Sequence, residues 1–265
     1  ATGDLHTAMT RVYRALWSGG RLHLAPQATV LRWAHGREVV VAPGCRLAGR
    51  ISADASLSVG TGVVFTLLHA PVVHFGGDGS QPAPVADGLH ALEGSGPTGG
   101  PTSGRLGLPE EVLWNPVAGR GTCAGPLQVG PGRAWRGDLV CQGDLLVGRG
   151  CRVRGSIKSW GELRLDVGSR VLGNLVATGR IVLGADCVVQ GAVVSERAVL
   201  LGPGCVVGAP GAPATVSAPR IVVSAGATVH GTLWAGEEGS TPEAAGFTQA
   251  QADDDGEPWP QQAWA

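Results

Sequence analysis

The chain has little Tyr, Phe, Met and Lys, and few charges for its length. Its 265 residues include one Tyr, three Phe, one Met and a single lysine, Lys158, and 15% are charged. The hydrophobic fraction is nevertheless 43%, which argues against a disordered chain. The 44 glycines follow no strict three-residue period, which excludes collagen. Glycine mixed with Val, Leu and Ile indicates many short strands broken by turns.

Several signatures of location and partners are also missing. No run of about 18 apolar residues occurs, which excludes a transmembrane helix, and no signal peptide is visible. The chain begins with Ala instead of Met, which leaves open a leader or membrane segment that has been removed. The formal net charge of −1 argues against a nucleic-acid partner. The six cysteines show no CxxC spacing, which argues against a zinc ribbon or a thioredoxin-like site.

An internal repeat dominates the C-terminal half. A Gly-x-aliphatic tripeptide returns every 18 residues, beginning at Gly137, Gly155, Gly173 and Gly191. It returns again at Gly231, two steps and four residues further on, and GAPGAPATVSAP (208–219) is the predicted place of that insertion. Aliphatic columns keep the same step. One column comprises Leu127, Leu145, Leu163, Ile181, Val199 and Ile221, and another comprises Trp135, Val153, Val171, Val189, Val207 and Val229.

Within each repeat the apolar residues alternate and a glycine turn follows, which is strand periodicity. An 18-residue unit of short strands cannot bury its inner face alone, but stacked units bury a continuous column. The fold class predicted is all-β: a single-stranded parallel β-helix, or solenoid, with coils of about 18 residues, a short N-terminal α-helix and a disordered C-terminal tail. Cys151, Cys187 and Cys205 share one column with Ser169, which predicts small buried side chains at a tight corner.

A shorter copy of the repeat lies upstream, where VAPGCRLAGRI (41–51) matches the motif. The segment 4–17 carries Leu5, Met9, Val12, Leu16 and Trp17 at helical spacing, which predicts a helix that caps the solenoid or lies on a membrane surface. Five parts are predicted: an amphipathic helix (1–20), a short solenoid (21–75), a Gly/Pro-rich insertion or linker (76–126), the main β-helix (127–235) and a disordered acidic tail with Pro and Trp (236–265).

The main repeat resembles the bactofilin family over 127–235, apart from the 208–219 insertion. The family pattern is matched by GELRL (161–165), GNL (173–175) and GRIVL (179–183). The resemblance implies a right-handed β-helix that polymerises end to end without nucleotide, as a bacterial cytoskeletal scaffold that recruits envelope-modifying partners. It also implies a cytoplasmic, membrane-associated location. The extra N-terminal copy, the long 76–126 insertion and a helix over one end depart from the pattern, and a covered end would oppose filament growth.

Self-association is also expected on physical grounds. A solenoid ends in a coil with unpaired N–H and C=O groups, and such an edge pairs with another unless it is capped. No capping helix follows the last coil, so Val222, Leu233 and Trp234 are predicted to form the self-assembly interface. Other predicted contacts are a membrane surface through 4–17 and a protein partner through 76–126 or through Trp259 and Trp264 in the tail.

Two enzyme classes and one binding module remain as alternatives. Eighteen is three times six, which fits a left-handed hexapeptide acyltransferase, and His230 would then be the candidate base. His69 and His74 resemble the paired zinc histidines of gamma-class carbonic anhydrases, trimeric enzymes that bind zinc across the subunit interface, with His35 as the third ligand. No Gly-x-Ser-x-Gly elbow, phosphate loop or carboxylate pair in a catalytic context occurs. The favoured interpretation therefore has no catalytic residue, cofactor or metal; a monomeric solenoid that binds a partner is the third alternative.

Overall fold

The computed structural model describes residues 1–76 and 107–242. Both ranges consist of short strands joined by tight turns, and all 24 strands belong to one sheet. The predicted all-β solenoid is confirmed. The predictions made for residues 77–106, for Trp259 and for Trp264 fall outside the described residues.

The N-terminal segment, residues 1–76, stacks four coils of parallel strands. Its strands are β1 (Leu5–His6), β2 (Val12–Trp17), β3 (Arg21–Leu24), β4 (Thr29–Val41), β5 (Arg46–Val59) and β6 (Val64–Phe75). Inward residues of successive coils are in register, as in Leu22↔Val39 and Val39↔Leu57. Most partners are 17 or 18 residues apart because each coil contains a bulge. One bend brings β4 and β5 so close that a Cβ on Gly49 would clash with the Arg32 carbonyl.

The helix predicted for the N-terminus is wrong. Residues 4–17 contribute β1 and β2, which pair in parallel with β3 and β4 and so form the first coil of the solenoid. Leu5 and Leu16 pack against the core, whereas Met9 and Val12 are exposed. The register shifts between Tyr13 and Ala15. That shift breaks the two-residue alternation, and the inward residues then recur at steps that imitate a helix.

The C-terminal segment, residues 107–242, holds the other 18 strands. They are β7 (Leu113–Asn115), β8 (Arg120–Cys123), β9 (Leu127–Val129), β10 (Ala134–Arg136), β11 (Asp138–Cys141), β12 (Leu145–Val147), β13 (Arg152–Arg154), β14 (Ile157–Ser159), β15 (Leu163–Leu165), β16 (Arg170–Val171), β17 (Leu175–Ala177), β18 (Ile181–Leu183), β19 (Val188–Val189), β20 (Val193–Ser195), β21 (Ala198–Leu201), β22 (Val206–Val207), β23 (Ala214–Val223) and β24 (Thr228–Ser240). β24 therefore ends beyond the predicted tail boundary at 235, and β7 and β8 lie inside the range predicted as a linker.

The aliphatic columns of the C-terminal segment are confirmed as its core. Parallel pairing joins Leu145 to Leu163 and Leu163 to Ile181, so the register equals the 18-residue step. The column that contains Val153 and Val189 is almost completely buried along its length. Each such side chain contributes roughly 1.5–3 kcal/mol through the removal of apolar surface from water.

The insertion in the repeat also lies where the sequence predicts it. Val199 pairs with Ile221, 22 residues away, instead of 18. The extra residues form a small loop closed by hydrogen bonds between Ala209 and Ala212. The insertion therefore bulges out of one corner without breaking the stack above or below it.

The cysteine column is buried, and all six cysteines of the chain are free thiols in the interior. Cys151, Cys187 and Cys205 each donate from Sγ to a carbonyl of the preceding coil, and Ser169 donates from Oγ to the equivalent carbonyl at 2.9 Å. A small side chain with one polar hydrogen therefore suits this corner. Burial raises the pKa of the Cys151 thiol and keeps it protonated.

Candidate assembly interface

The two segments meet at an antiparallel seam. β24, the last strand of the C-terminal segment, pairs with β6, the last strand of the N-terminal segment. Leu233 lies opposite Leu68 and Val229 lies opposite Val73, and all four side chains are completely buried. All other strand pairs between successive coils are parallel, so the chain joins two short solenoids tail to tail into one rod.

The seam corrects the prediction that the last coil ends in an open edge. Leu233 is completely buried in the seam, and Val222 pairs with Ser240 of the next coil. Trp234 lies opposite Leu67 and keeps 59% of its surface exposed. Leu233 and Trp234 therefore lie at a junction within the chain and Val222 lies one coil before it, while the ends of the rod are elsewhere.

One end of the rod is covered by residues 107–115. β7 pairs antiparallel with β8 in the first coil of the C-terminal segment. Val112 is 1% exposed, and Leu108 packs against the core from the same side. Gly107 lies so close to the backbone of Ala134 that a Cβ there would clash with it. These residues close the apolar column and pair with the outer edge of β8, whereas no strand of the described ranges pairs with the outer edges of β9 and β10.

The other end of the rod is open. β1 and β2 each pair with a strand of the next coil, and within the described ranges no strand pairs with their outer edges. The chain terminus contacts this end only near its side, where the Ala1 amino group donates to Trp17 O. Met9 and Val12 are 59% and 64% exposed there. An unpaired edge beside exposed apolar side chains is the usual surface for strand addition.

The seam is lined by three histidines, each bonded across it. His69 and His74 form hydrogen bonds through Nδ1 with the hydroxyls of Thr232 and Thr228, at 2.8 and 3.2 Å. His230 lies 3.2 Å from the Pro71 carbonyl oxygen through Nδ1. Burial lowers the pKa of His74, and the nearby His230 lowers it further. Burial also lowers the pKa of His230, partly opposed by its bond to Pro71.

The zinc alternative places His35, His69 and His74 across a trimer interface, and within one chain the structure keeps the three histidines apart. His35, Ser52 and His69 lie in one column, because the coils there have 17 residues, but two coil steps separate the histidines. His35 instead contacts Ser52 at 3.0 Å and Asp54 at 3.5 Å. His74 belongs to another column, opposite Ser58. In the described part of the chain, no group of three His, Cys, Asp or Glu side chains could hold a metal ion.

His230, the candidate base of the acyltransferase alternative, is 9% exposed and faces the seam. Residues 1–76 and 107–242 contain no helix long and apolar enough to cross a membrane. No family model, curated protein or solved structure matches the chain. The seam, the covered end and the open end were all missed at the sequence level, because none of them repeats with the period of the coils.

Proposed function

We propose that this protein is a non-catalytic, self-associating scaffold of bactofilin type. The observation that carries the proposal is the asymmetry of the rod ends: residues 107–115 cover the apolar column at one end, whereas no strand of the described ranges covers the first coil, β1 and β2, at the other. A stiff rod with one such edge has the physical properties of an assembly unit.

The end whose apolar column is not covered determines the form of the assembly. A surface that pairs with its own copy produces a closed, two-fold dimer, whereas a filament requires two complementary ends. We therefore expect two rods joined end to end through their first coils. This assembly replaces the end-to-end polymer that the resemblance implies.

Location and recruitment follow from the resemblance and from the parts of the chain outside the coils. We propose a cytoplasmic, membrane-associated scaffold that recruits envelope-associated partners. Residues 77–106 of the predicted linker and the segment with Trp259 and Trp264 provide sequence for such contacts.

The test is sedimentation of the full chain over a range of concentrations, with two matched variants. Val12→Asp places a charge at the open end, and Val117→Asp places the same charge at the covered end, where Val117 is 97% exposed. We expect a dimer for the parent and for Val117→Asp, and a shift to monomer of at least about tenfold in Kd for Val12→Asp.

A parent chain that stays monomeric at all concentrations would overturn the proposal in favour of a monomeric binding module. Equal weakening by both variants would show that the first coil is not the interface. Circular dichroism of each variant establishes that a loss of dimer is not a loss of fold.

A further inference from the structure

A second unpartnered surface lies on the flank of the N-terminal segment. We call it the basic face, and it consists of Arg14, Arg32, Arg46, Arg50, Leu31 and Trp33 on β2, β4 and β5. All six residues are exposed, and Leu31 and Trp33 keep 50% and 43% of their surface. Trp33 and Arg50 lie opposite each other in register, so the face is continuous across coils.

The four arginines have no carboxylate beside them. None of them forms a side-chain hydrogen bond or an ion pair with another residue of 1–76 or 107–242. The strand stretches 12–17, 29–35 and 46–52 contain no Asp or Glu at all. Like charges on successive strands of a sheet repel each other. The basic face is therefore suited to a ligand with several negative charges and some apolar surface.

The tail of the chain, residues 243–265, has that chemistry. Residues 243–265 carry five acidic side chains and no basic one, and they include Phe247, Trp259 and Trp264. The charges of the rod complement this segment, since residues 1–76 and 107–242 carry 19 basic and 13 acidic side chains. Arg guanidinium groups bind carboxylates in a bidentate manner and also stack on aromatic rings.

The point at which the chain leaves the rod favours an intramolecular contact. Thr241 is held in the turn before β6: its N donates to Val63 O at 3.0 Å, and its Oγ1 donates to Gly60 O at 2.8 Å. The next residue after that turn, Val64, pairs with Arg46 of the basic face. The chain therefore emerges beside one edge of the face.

The segment is also long enough. Asp253 is eleven residue steps beyond Pro242, and an extended chain of that length spans up to about 36 Å. The basic face extends over three coils, or about 14 Å along the rod. The acidic run Asp253–Asp255 can therefore reach every arginine of the face, with Trp259 following it.

We infer that residues 243–265 dock on the basic face of their own chain, with carboxylates on the arginines and Trp259 near Leu31 and Trp33. The docked segment shields the flank of the rod beside its open end. A partner of the segment must then displace it from the rod, which makes the availability of this flank dependent on that partner.

The test is disulfide trapping in the full chain, with two cysteine pairs that are matched for distance. Thr29 and Val182 lie in one column, each three coil steps from Ser240 but in opposite directions. Trp259→Cys is combined with Thr29→Cys or with Val182→Cys and oxidised by copper phenanthroline. The native cysteines are buried and do not compete. A freely tethered segment would reach both positions at equal rates.

We expect the Thr29→Cys pair to form at least about ten times faster than the Val182→Cys pair at low salt, with less preference as salt screens the contact. Asp253→Asn, Asp254→Asn and Asp255→Asn together should equalise the two rates. Equal rates in the parent segment would overturn the inference. Dilution to monomeric concentrations keeps this result independent of the dimer.

Vesicles of phosphatidylglycerol and phosphatidylcholine test a membrane as the alternative occupant. The inference would be wrong if Arg32→Gln and Arg46→Gln abolished vesicle binding while the two trapping rates were equal in the parent segment. The basic face would then be a membrane contact. Loss of the trapping preference in the same arginine variants, without vesicles, supports the intramolecular contact.

Discussion

At the scale of single residues, position within the strand decides what a side chain contributes. Val188 and Val189 are neighbours in β19, but Val189 is completely buried in the core column while Val188 faces outward between Arg170 and Val206. The alternation recurs in most coils of the C-terminal segment, although β21 is buried at every position. For that reason its core residues could be predicted from the sequence: each inward position is repeated at a constant step.

Val189→Asp and Val188→Asp provide a matched test of that register. The buried carboxylate of Val189→Asp has no cation within the stack, so we expect the free energy of unfolding to fall by about 3–5 kcal/mol. Val188→Asp places the same charge at the surface near Arg170, and the change should stay within about 1 kcal/mol. Chemical denaturation followed by circular dichroism measures both. Equal losses would mean that the inward and outward assignments of β19 are wrong.

At the scale of strands, the bulged coils of the N-terminal segment explain the one error in secondary structure. In β2 the register shifts between Tyr13 and Ala15, so Leu16 returns to the core out of step with the strand before the shift. A bulge has no signature in the residues themselves, and the resulting spacing matches a helix equally well. What distinguishes the two is the pairing with β4, a contact that only the folded coil contains.

The histidines of the seam predict a stability that depends on pH. The lowered pKa values of His74 and His230 mean that both are neutral when buried, whereas the unfolded chain takes up protons first. The free energy of unfolding should therefore have its full value above the ordinary histidine pKa of about 6.5, and it should fall as the pH decreases below that pKa. Melting temperatures between pH 8 and pH 5 measure the effect.

Replacement of His74 and His230, the two seam histidines with lowered pKa values, provides the control for this pH dependence. His74→Gln together with His230→Gln removes the two titrating groups and should flatten the curve between about pH 6.5 and pH 5. His23→Gln, far from the seam, removes a third histidine whose pKa is lowered by burial and then by His6, and should reduce the slope separately. A double variant with the same slope as the parent would assign the acid sensitivity to other groups.

At the scale of the whole molecule, the seam determines the shape, and it is the feature that the sequence conceals most completely. Each segment can be predicted from its own repeat. The β6–β24 contact, however, joins residues more than 150 positions apart and reverses the strand direction. Nothing in an 18-residue period records that reversal. The prediction of an open last coil was wrong for this reason. The strand that covers the coil is β6, which belongs to the N-terminal segment and not to the residues that follow the coil.

Gly239→Val tests whether the seam holds the two segments as one rod. Gly239 lies opposite Phe65, and a Cβ at this position would overlap the buried Phe65 ring, whereas the nearest atom to a Cβ on Gly236 of the same strand is 3.7 Å away. We expect Gly239→Val to destabilise the seam by about 1–3 kcal/mol and to raise the radius of gyration in small-angle scattering as the segments part. Parting exposes two further coil edges, so this variant should also associate more strongly than the parent. Gly236→Val should keep the radius and the association of the parent. If Gly239→Val instead retained the compact rod, the antiparallel register of β6 and β24 could not be correct.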